Sequence, residues 1–318
     1  MFQTTPRQGS NTFGTAYGNE AVIWHTTNYG ATWAELKGNP DFYTDIANDG
    51  IHVTNIVYDP HNKNVVYLSA TGLGSKGGMW KSTDAGTTWT KVVTGIAPHC
   101  DSNGTPGVGI APRIVLSDDG KTLLCHILQQ YRAAPPVEPP GNPPFNQALW
   151  GDAAAYKLDM FNGATTWSEI ARPYNNTVGL QSLRMDNDGV LYATTNTMLT
   201  GSNRLDINGA RPLPYAYGGA HVSVDGGATW RQMFRSDGSA FDIRVDSRNS
   251  NKIYLSTKMG AVYVSYKGKD TTHDDWILLP GSVVFYGWQW IFEDPNDENH
   301  IIVTSNCGGT WSMPVPTQ

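Results

Sequence analysis

The chain has 318 residues, among them 34 Gly, 19 Pro, 11 Trp, 15 Tyr and 9 Phe but only 16% charged residues, a composition that builds a large core with many turns and excludes disorder. Its net charge of −6, with no run of Lys or Arg, offers no footprint for phosphate backbones or anionic lipid, so nucleic acid is excluded as a partner. No apolar run reaches the roughly 18 residues of a membrane span, and the three Cys and eight His lack ligand spacing, so no membrane, metal or other cofactor is expected.

In chain order, short runs of β-branched and aromatic residues alternate with turn signals. A partial unit, A-V-I-W-H-T-T-N-Y-G-A-T-W, spans 21–33. The fullest unit runs I-V-Y-D-P-H-N-K-N-V-V-Y-L-S-A-T (56–71), then G-G-M-W-K-S-T-D-A-G-T-T-W-T-K-V (77–92). Further copies start at 182 and 241 and close at Trp230 and Trp276, and fainter ones start at 113 and 290 and close at Trp167 and Trp311. Runs bounded by D-P-x-N or D-x-D-G read as consecutive antiparallel strands joined by tight turns, and no segment carries a helical apolar period. Repeats of this size predict an all-β chain, a β-propeller of about six four-stranded blades with seven as the alternative, because one small sheet cannot bury both faces until neighbours pack on it. Residues 1–318 are read as a single propeller domain. Its first blade lacks an evident innermost strand and its last an evident outermost one. Cys100 and Cys125 form a disulfide or are buried free thiols; the sequence favours the thiols.

Ser82, Asp84, Gly86 and Trp89 share their spacing with Ser223, Asp225, Gly227 and Trp230. This S-x-D-x-G-x-x-W pattern resembles the Asp box, or BNR repeat, with degenerate copies at Thr26 to Trp33 and Asn162 to Trp167. A short Asp accepts amide hydrogens inside a turn, Gly permits positive φ, and Trp fills the gap between strands, so the pattern is read as a hairpin staple, and the resemblance implies that it lies at the blade periphery, far from the chemistry.

With these boxes the chain resembles the propellers of sialidases, sortilin-type receptors and, most closely, xyloglucanase-type glycoside hydrolases; the last likeness rests on residues 59–89 and on G-W-Q-W-I-F-E-D-P-N-D-E-N-H-I-I-V-T-S near the C-terminus. The resemblance implies sugar chemistry at the end of the propeller where the innermost strands begin. Superposing the repeats on the Asp that ends each inner strand aligns Asn55, Ser182, Asp242 and Trp290, with Arg113 or Ile114 in the third unit. Asp242, in F-D-I-R-V-D-S, matches the position of one catalytic acid of the xyloglucanase type. The second acid of that family has no counterpart: the equivalent positions are Thr71, Asn196, Lys258 and Asn306. A glycosidase needs two carboxyl groups about 5–9.5 Å apart, which leaves Glu20, Glu138 and Asp152 as loop candidates.

Lys258 and Arg113 suit an acidic sugar, whereas Asp242 and Lys258 at adjoining strand ends also read as a structural ion pair. Two long Pro-rich insertions, 133–150 and 205–219, end in Trp150, Tyr215 and Tyr217, which with Tyr286, Trp288 and Trp290 supply faces for pyranose stacking. Sialidase activity is disfavoured, since A-P-R-I-V-L at 111–116 follows two boxes and lacks the family's Pro after the Ile. The leading expectation is an extracellular propeller acting on a polysaccharide or oligosaccharide as a glycoside hydrolase. A non-catalytic glycan-binding or protein-interaction propeller comes second and a polysaccharide lyase third. The opening M-F-Q-T-T-P-R-Q is no signal peptide, so a secreted or periplasmic location is expected with the leader already removed.

Overall fold

The computed structural model describes residues 2–6, 21–28, 30–36, 38, 42, 52–71, 78–96, 99–100, 106–107, 112–127, 154–171, 173, 178–197, 218–235, 240–257, 260–282, 289–305 and 309–317. The fold is an all-β propeller with four-stranded blades, and the chain falls into two compact units. One unit comprises residues 1–116 and 120–169, the other 117–119 and 170–318. No helix among the described residues is long and apolar enough to cross a membrane.

The first unit opens with a three-stranded sheet of β1 (Phe2–Pro6), β2 (Ala21–His25) and β3 (Ala34–Glu35). A four-stranded meander follows: β4 (His52–Asp59), β5 (Asn62–Thr71), β6 (Gly78–Ser82) and β7 (Thr90–Lys91). A short ribbon of β8 (His99–Cys100) and β9 (Pro106–Gly107) precedes a second meander of β10 (Pro112–Leu116), β11 (Thr122–Ile127), β12 (Ala154–Asp159) and β13 (Ser168–Ile170). Its core runs from one meander to the next: Val65, Tyr67 and Met79 pack with Ile114, Leu123, Cys125, Tyr156 and Trp167. Cys125 is a buried free thiol, as the sequence favoured, and burial pushes its pKa well up.

In the second unit, two further meanders hold β14 (Val178–Met185), β15 (Leu191–Thr197), β16 (Gly219–Ser223) and β17 (Arg231–Arg235), then β18 (Ala240–Asp246), β19 (Asn249–Thr257), β20 (Val262–Ser265) and β21 (Ile277–Leu278). A three-stranded sheet of β22 (Gln289–Glu293), β23 (His300–Ser305) and β24 (Gly309–Pro314) ends the chain. The expected count of about six four-stranded blades is therefore not matched: among the described residues four sheets have four strands and the terminal two have three. The assignment of Trp311 as the closing tryptophan of its unit is also corrected. Trp311 lies on β24 opposite Val303, as Trp80 on β6 lies opposite Leu68, so it belongs to a third strand. The shared G-x-W of the two strands carries the equivalence, and the C-terminal copy has no second Trp after it.

The turns after β6 and β16 are knotted by side chains in the same way. Asp84 Oδ1 accepts from Ser82 Oγ and the Thr88 amide, each at 2.8 Å, while Oδ2 accepts from Thr88 Oγ1 at 2.6 Å. Ser82 Oγ in turn accepts the Gly86 amide at 2.8 Å. Asp225, Ser223, Thr229 and Gly227 repeat the set. After β2, Thr26, Asn28, Gly30 and Thr32 build it with an amide in place of the carboxylate. Gly227 holds φ +94, and a Cβ there would sit 2.1 Å from Ile170, so both the conformation and the space require glycine.

Three tryptophans reach beyond their own turn, whereas Trp89 Nε1 donates to Gly86 O within it. Trp167 Nε1 donates to Val92 O at 2.9 Å, Trp230 to Ala171 O at 2.6 Å and Trp276 to Met233 O at 2.9 Å. Val92 lies just past the outermost strand of the preceding sheet and Met233 lies on it, so there the indole latches one outer edge to the next within a unit. The turn hydrogen bonds hold the Asp84 carboxyl below the usual carboxylate range, and Thr88 is the main cause. Such a depressed group adds stability above its unfolded pKa of about 4 and loses it as pH falls through the folded value. Asp84→Ala is expected to lower stability by about 1 kcal/mol at neutral pH, exposure keeping the effect small. The difference from the parent should shrink as pH falls below the ordinary carboxylate value of about 4; urea unfolding at neutral and acid pH checks it.

Candidate functional site

Near their starts, three inner strands carry a register shift at one equivalent place: between Val53 and Asn55 on β4, Leu180 and Ser182 on β14, and Ala240 and Ile243 on β18. A bulge re-aims the side chain beside it, and here the re-aimed residues are the aligned Asn55, Ser182 and Asp242. Each is turned toward the neighbouring inner strand. Asn55 Nδ2 donates to Ile114 O on β10 at 2.7 Å. Ser182 Oγ donates to Asp242 Oδ1 at 2.7 Å, and Asp242 Oδ2 accepts the Ile291 amide of β22 at 3.2 Å. Thr194 Oγ1 adds a 2.8 Å bond to Phe241 O.

Asp242 is the most heavily used member of this row. Arg184 Nη2 lies 3.3 Å from its Oδ1, and its amide donates to Ser256 Oγ at 3.1 Å. The residue is 2% exposed. Two oxygens bonded by three donors from two neighbouring strands make a structural junction, and a buried carboxylate is retained where its lone pairs are filled in this way. Trp290, the β22 member of the row, is partly buried and meets Phe241 edge to face, with ring centroids 5.1 Å apart at 83°. Arg113 is partly buried on β10, opposite His126 in register. Lys258, Trp150, Tyr215, Tyr217, Tyr286 and Trp288, and the loop acids Glu20, Glu138 and Asp152, lie outside the described residues.

One step further along the same strands is a charged group that sequence reasoning missed. Arg184 Nε donates to Ile243 O at 3.4 Å, and Arg244 Nε to Glu293 Oε1 at 3.3 Å. Glu293 Oε2 also accepts from Ser247 Oγ at 2.6 Å and the Ser247 amide at 3.1 Å. Asp118 joins them, its amide donating to Met185 O at 2.9 Å. Burial raises the Asp118 carboxyl to about 6; Arg244 and Arg184 lower it, while Glu293 and Asp186 push it further up. The available signal was R-x-D, which occurs at Arg184–Asp186 and again at Arg244–Asp246.

The aspartates that end the inner strands stay local. Asp186 accepts the Asp188 and Val190 amides and the Tyr192 hydroxyl, and Asp246 accepts the Arg248 amide and the Tyr254 hydroxyl. Burial is the main reason both tyrosines are pushed up, with the facing carboxylate adding to it.

No protein-family model matches the chain, and no curated protein does. Solved structures do, as folds. YCF48 bound to a D1 peptide aligns with a TM-score of 0.54 and 14% identity over 94% of this chain and 74% of that one. An ulvan lyase of family PL25, bound to -[GlcA(1-4)Rha3S]-, gives 0.53 and 10% identity over 96% of this chain and 72% of that one. The GH74 xyloglucanase from Xanthomonas campestris gives 0.51 and 16% identity over 92% of this chain, which spans only 40% of that enzyme. A peptide-bound protein, a lyase and a hydrolase thus share the architecture, and fold alone does not choose among them.

Two outcomes test this site. Asp242→Ala should cost about 3 kcal/mol, since it leaves a buried amide and Arg184 without their acceptor, and Asp242→Asn should cost less; thermal and urea unfolding measure both. Asp118 has the opposite sign, because its folded pKa lies above the ordinary 3.8. Stability is lost as pH rises from about 4 to about 6, where the unfolded chain ionises and the folded one does not. Asp118→Asn should therefore be more stable than the parent by about 1–2 kcal/mol above pH 6, with the gain vanishing below about pH 4.

Proposed function

We propose that the protein is a glycan-binding propeller, extracellular, that holds a polysaccharide or oligosaccharide without cleaving it. The observation that carries this reading is the engagement of Asp242. A general acid or nucleophile has to reach a glycosidic oxygen or anomeric carbon, whereas this carboxylate is buried and joined to Ser182, Arg184 and the Ile291 amide. Binding requires no such acid. It requires flat apolar faces and hydrogen-bonding groups, and the sequence supplies these in Trp150, Tyr215, Tyr217, Tyr286, Trp288 and Trp290, with Arg113 and Lys258 for an acidic sugar. The turn motifs of Ser82–Trp89 and Ser223–Trp230 are read as Asp boxes, staples of the outer edge without a role in the ligand.

A xyloglucanase-type hydrolase is the second reading, favoured by the F-D-I-R-V-D-S context of Asp242. The experiment is one panel of neutral and acidic polysaccharides, scored for retention of the protein, for new reducing ends and for the ultraviolet absorbance of unsaturated uronates. Retention without product is expected, and Trp150→Ala or Trp288→Ala should weaken it about tenfold, the value of one lost stacking contact. Product release by the parent that disappears in Asp242→Asn at an unchanged melting temperature would establish the hydrolase instead.

A further inference from the structure

Asn-Gly occurs at 103–104, 162–163 and 208–209, and the middle pair lies among the described residues, in the turn between β12 and β13. The turn itself favours the glycine, because Gly163 holds φ +72. That glycine has a chemical consequence for its neighbour. With no Cβ to crowd it, its backbone nitrogen is the least hindered nucleophile that an asparagine side chain can meet. A reaction between the two lies within one dipeptide, so it needs neither a pocket nor an open surface.

Three hydrogen bonds hold the groups that would react. Asp159 Oδ2 accepts from Asn162 Nδ2 at 2.5 Å, and its Oδ1 accepts the Asn162 backbone amide at 3.0 Å. The Gly163 amide donates to Met160 O at 3.0 Å. Each bond opposes ring closure. The Gly163 nitrogen must give up its proton before it attacks, and that proton is engaged by a carbonyl. The carboxylate keeps the side-chain amide turned toward Asp159, and its charge disfavours an anion on the nitrogen nearby. Closure therefore waits for the turn to open locally. The residue type at 162 follows from the same contacts. Asn162 precedes Trp167 by the offset at which Asp84 and Asp225 precede Trp89 and Trp230. Those carboxylates accept from Ser82 and Ser223. The place of that serine is taken here by Met160, and Asp159 is the neighbour, so an acid at 162 would lack a donor and face a second carboxylate.

We propose that Asn162 is a site of spontaneous covalent modification, restrained by Asp159. The Gly163 nitrogen bonds to Cγ of Asn162, the Cγ–Nδ2 bond breaks, and the side-chain nitrogen leaves as ammonia with the proton that the Gly163 nitrogen gives up. The product is a cyclic imide. Water then opens it at one of its two carbonyls, leaving an aspartate or an isoaspartate linkage. Either outcome puts a carboxylate against Asp159 where an amide donated before. The isoaspartate also lengthens the main chain by one carbon inside a turn that the Ala164 amide closes on Asp159 O at 2.9 Å.

The test is peptide mapping by mass spectrometry of the whole chain held at mildly alkaline pH, with and without urea. The mass gained when an amide becomes an acid, together with isoaspartate, is expected at Asn162 in the folded protein, accumulating about tenfold or more slowly than in urea. Asp159→Ala should speed the reaction in the folded protein about tenfold, the weight of one hydrogen bond to a charged group. Asp159→Asn, which keeps an oxygen acceptor, should speed it less. Should Asp159→Ala fold poorly, Asp159→Asn and the parent in urea still decide. An unmodified Asn162 in the folded protein, after the chain in urea has reacted, overturns the site. Equal rates in the folded and unfolded parent, or in the parent and the folded Asp159 variants, overturn the restraint.

Discussion

The carboxylate of Asp242 stands where three inner strands meet, and its bonds to Ser182, Arg184 and the Ile291 amide join sheets that have no main-chain pairing with one another. The need is general. A sheet of four short strands, some only two residues long, buries too little surface to persist alone, and packing of apolar faces fixes neither rotation nor height between neighbours. A polar link at a fixed register does. Within the second unit that link is repeated by Arg244 and Glu293, and within the first a single amide, Asn55, makes it to Ile114.

At the opposite edge of the sheets the same need is met by indoles. The indoles of Trp167 and Trp276 bond the backbone of the preceding sheet, whereas Trp89 Nε1 donates to Gly86 O in its own turn. In the knotted turns the Asp or Asn satisfies the turn amides and the glycine gives the chain its reversal. The turn after β2 makes the same set of bonds from Thr26 and Asn28, so the device depends on oxygen acceptors at two positions rather than on a charge.

The charged group around Asp118 follows from the same economy of space. Arg184 and Arg244 point along adjacent inner strands, and like charges so placed require acids between them. Asp242 and Glu293 accept from them directly, and Asp118 enters from a turn whose amide is fixed to Met185. Its burial is the cost of completing the cluster, and that burial raises its carboxyl to about 6.

Period-two runs, turn residues at fixed offsets and an internal repeat were all present in the sequence, and these are local properties, so they determined strands, turns and an all-β propeller without coordinates. Position on the inner strand was legible too, since Asn55, Ser182 and Asp242 align by spacing alone. Their direction was not. A one-residue bulge turns a side chain from one face to another without altering the composition of the strand, so only the paired register reveals that Asp242 faces β14 and β22. The same limit hid the role of Trp311. Sequence counts tryptophans, but whether one begins a fourth strand or sits within a third is decided by what it pairs with, and pairing between distant segments exists only in the tertiary structure.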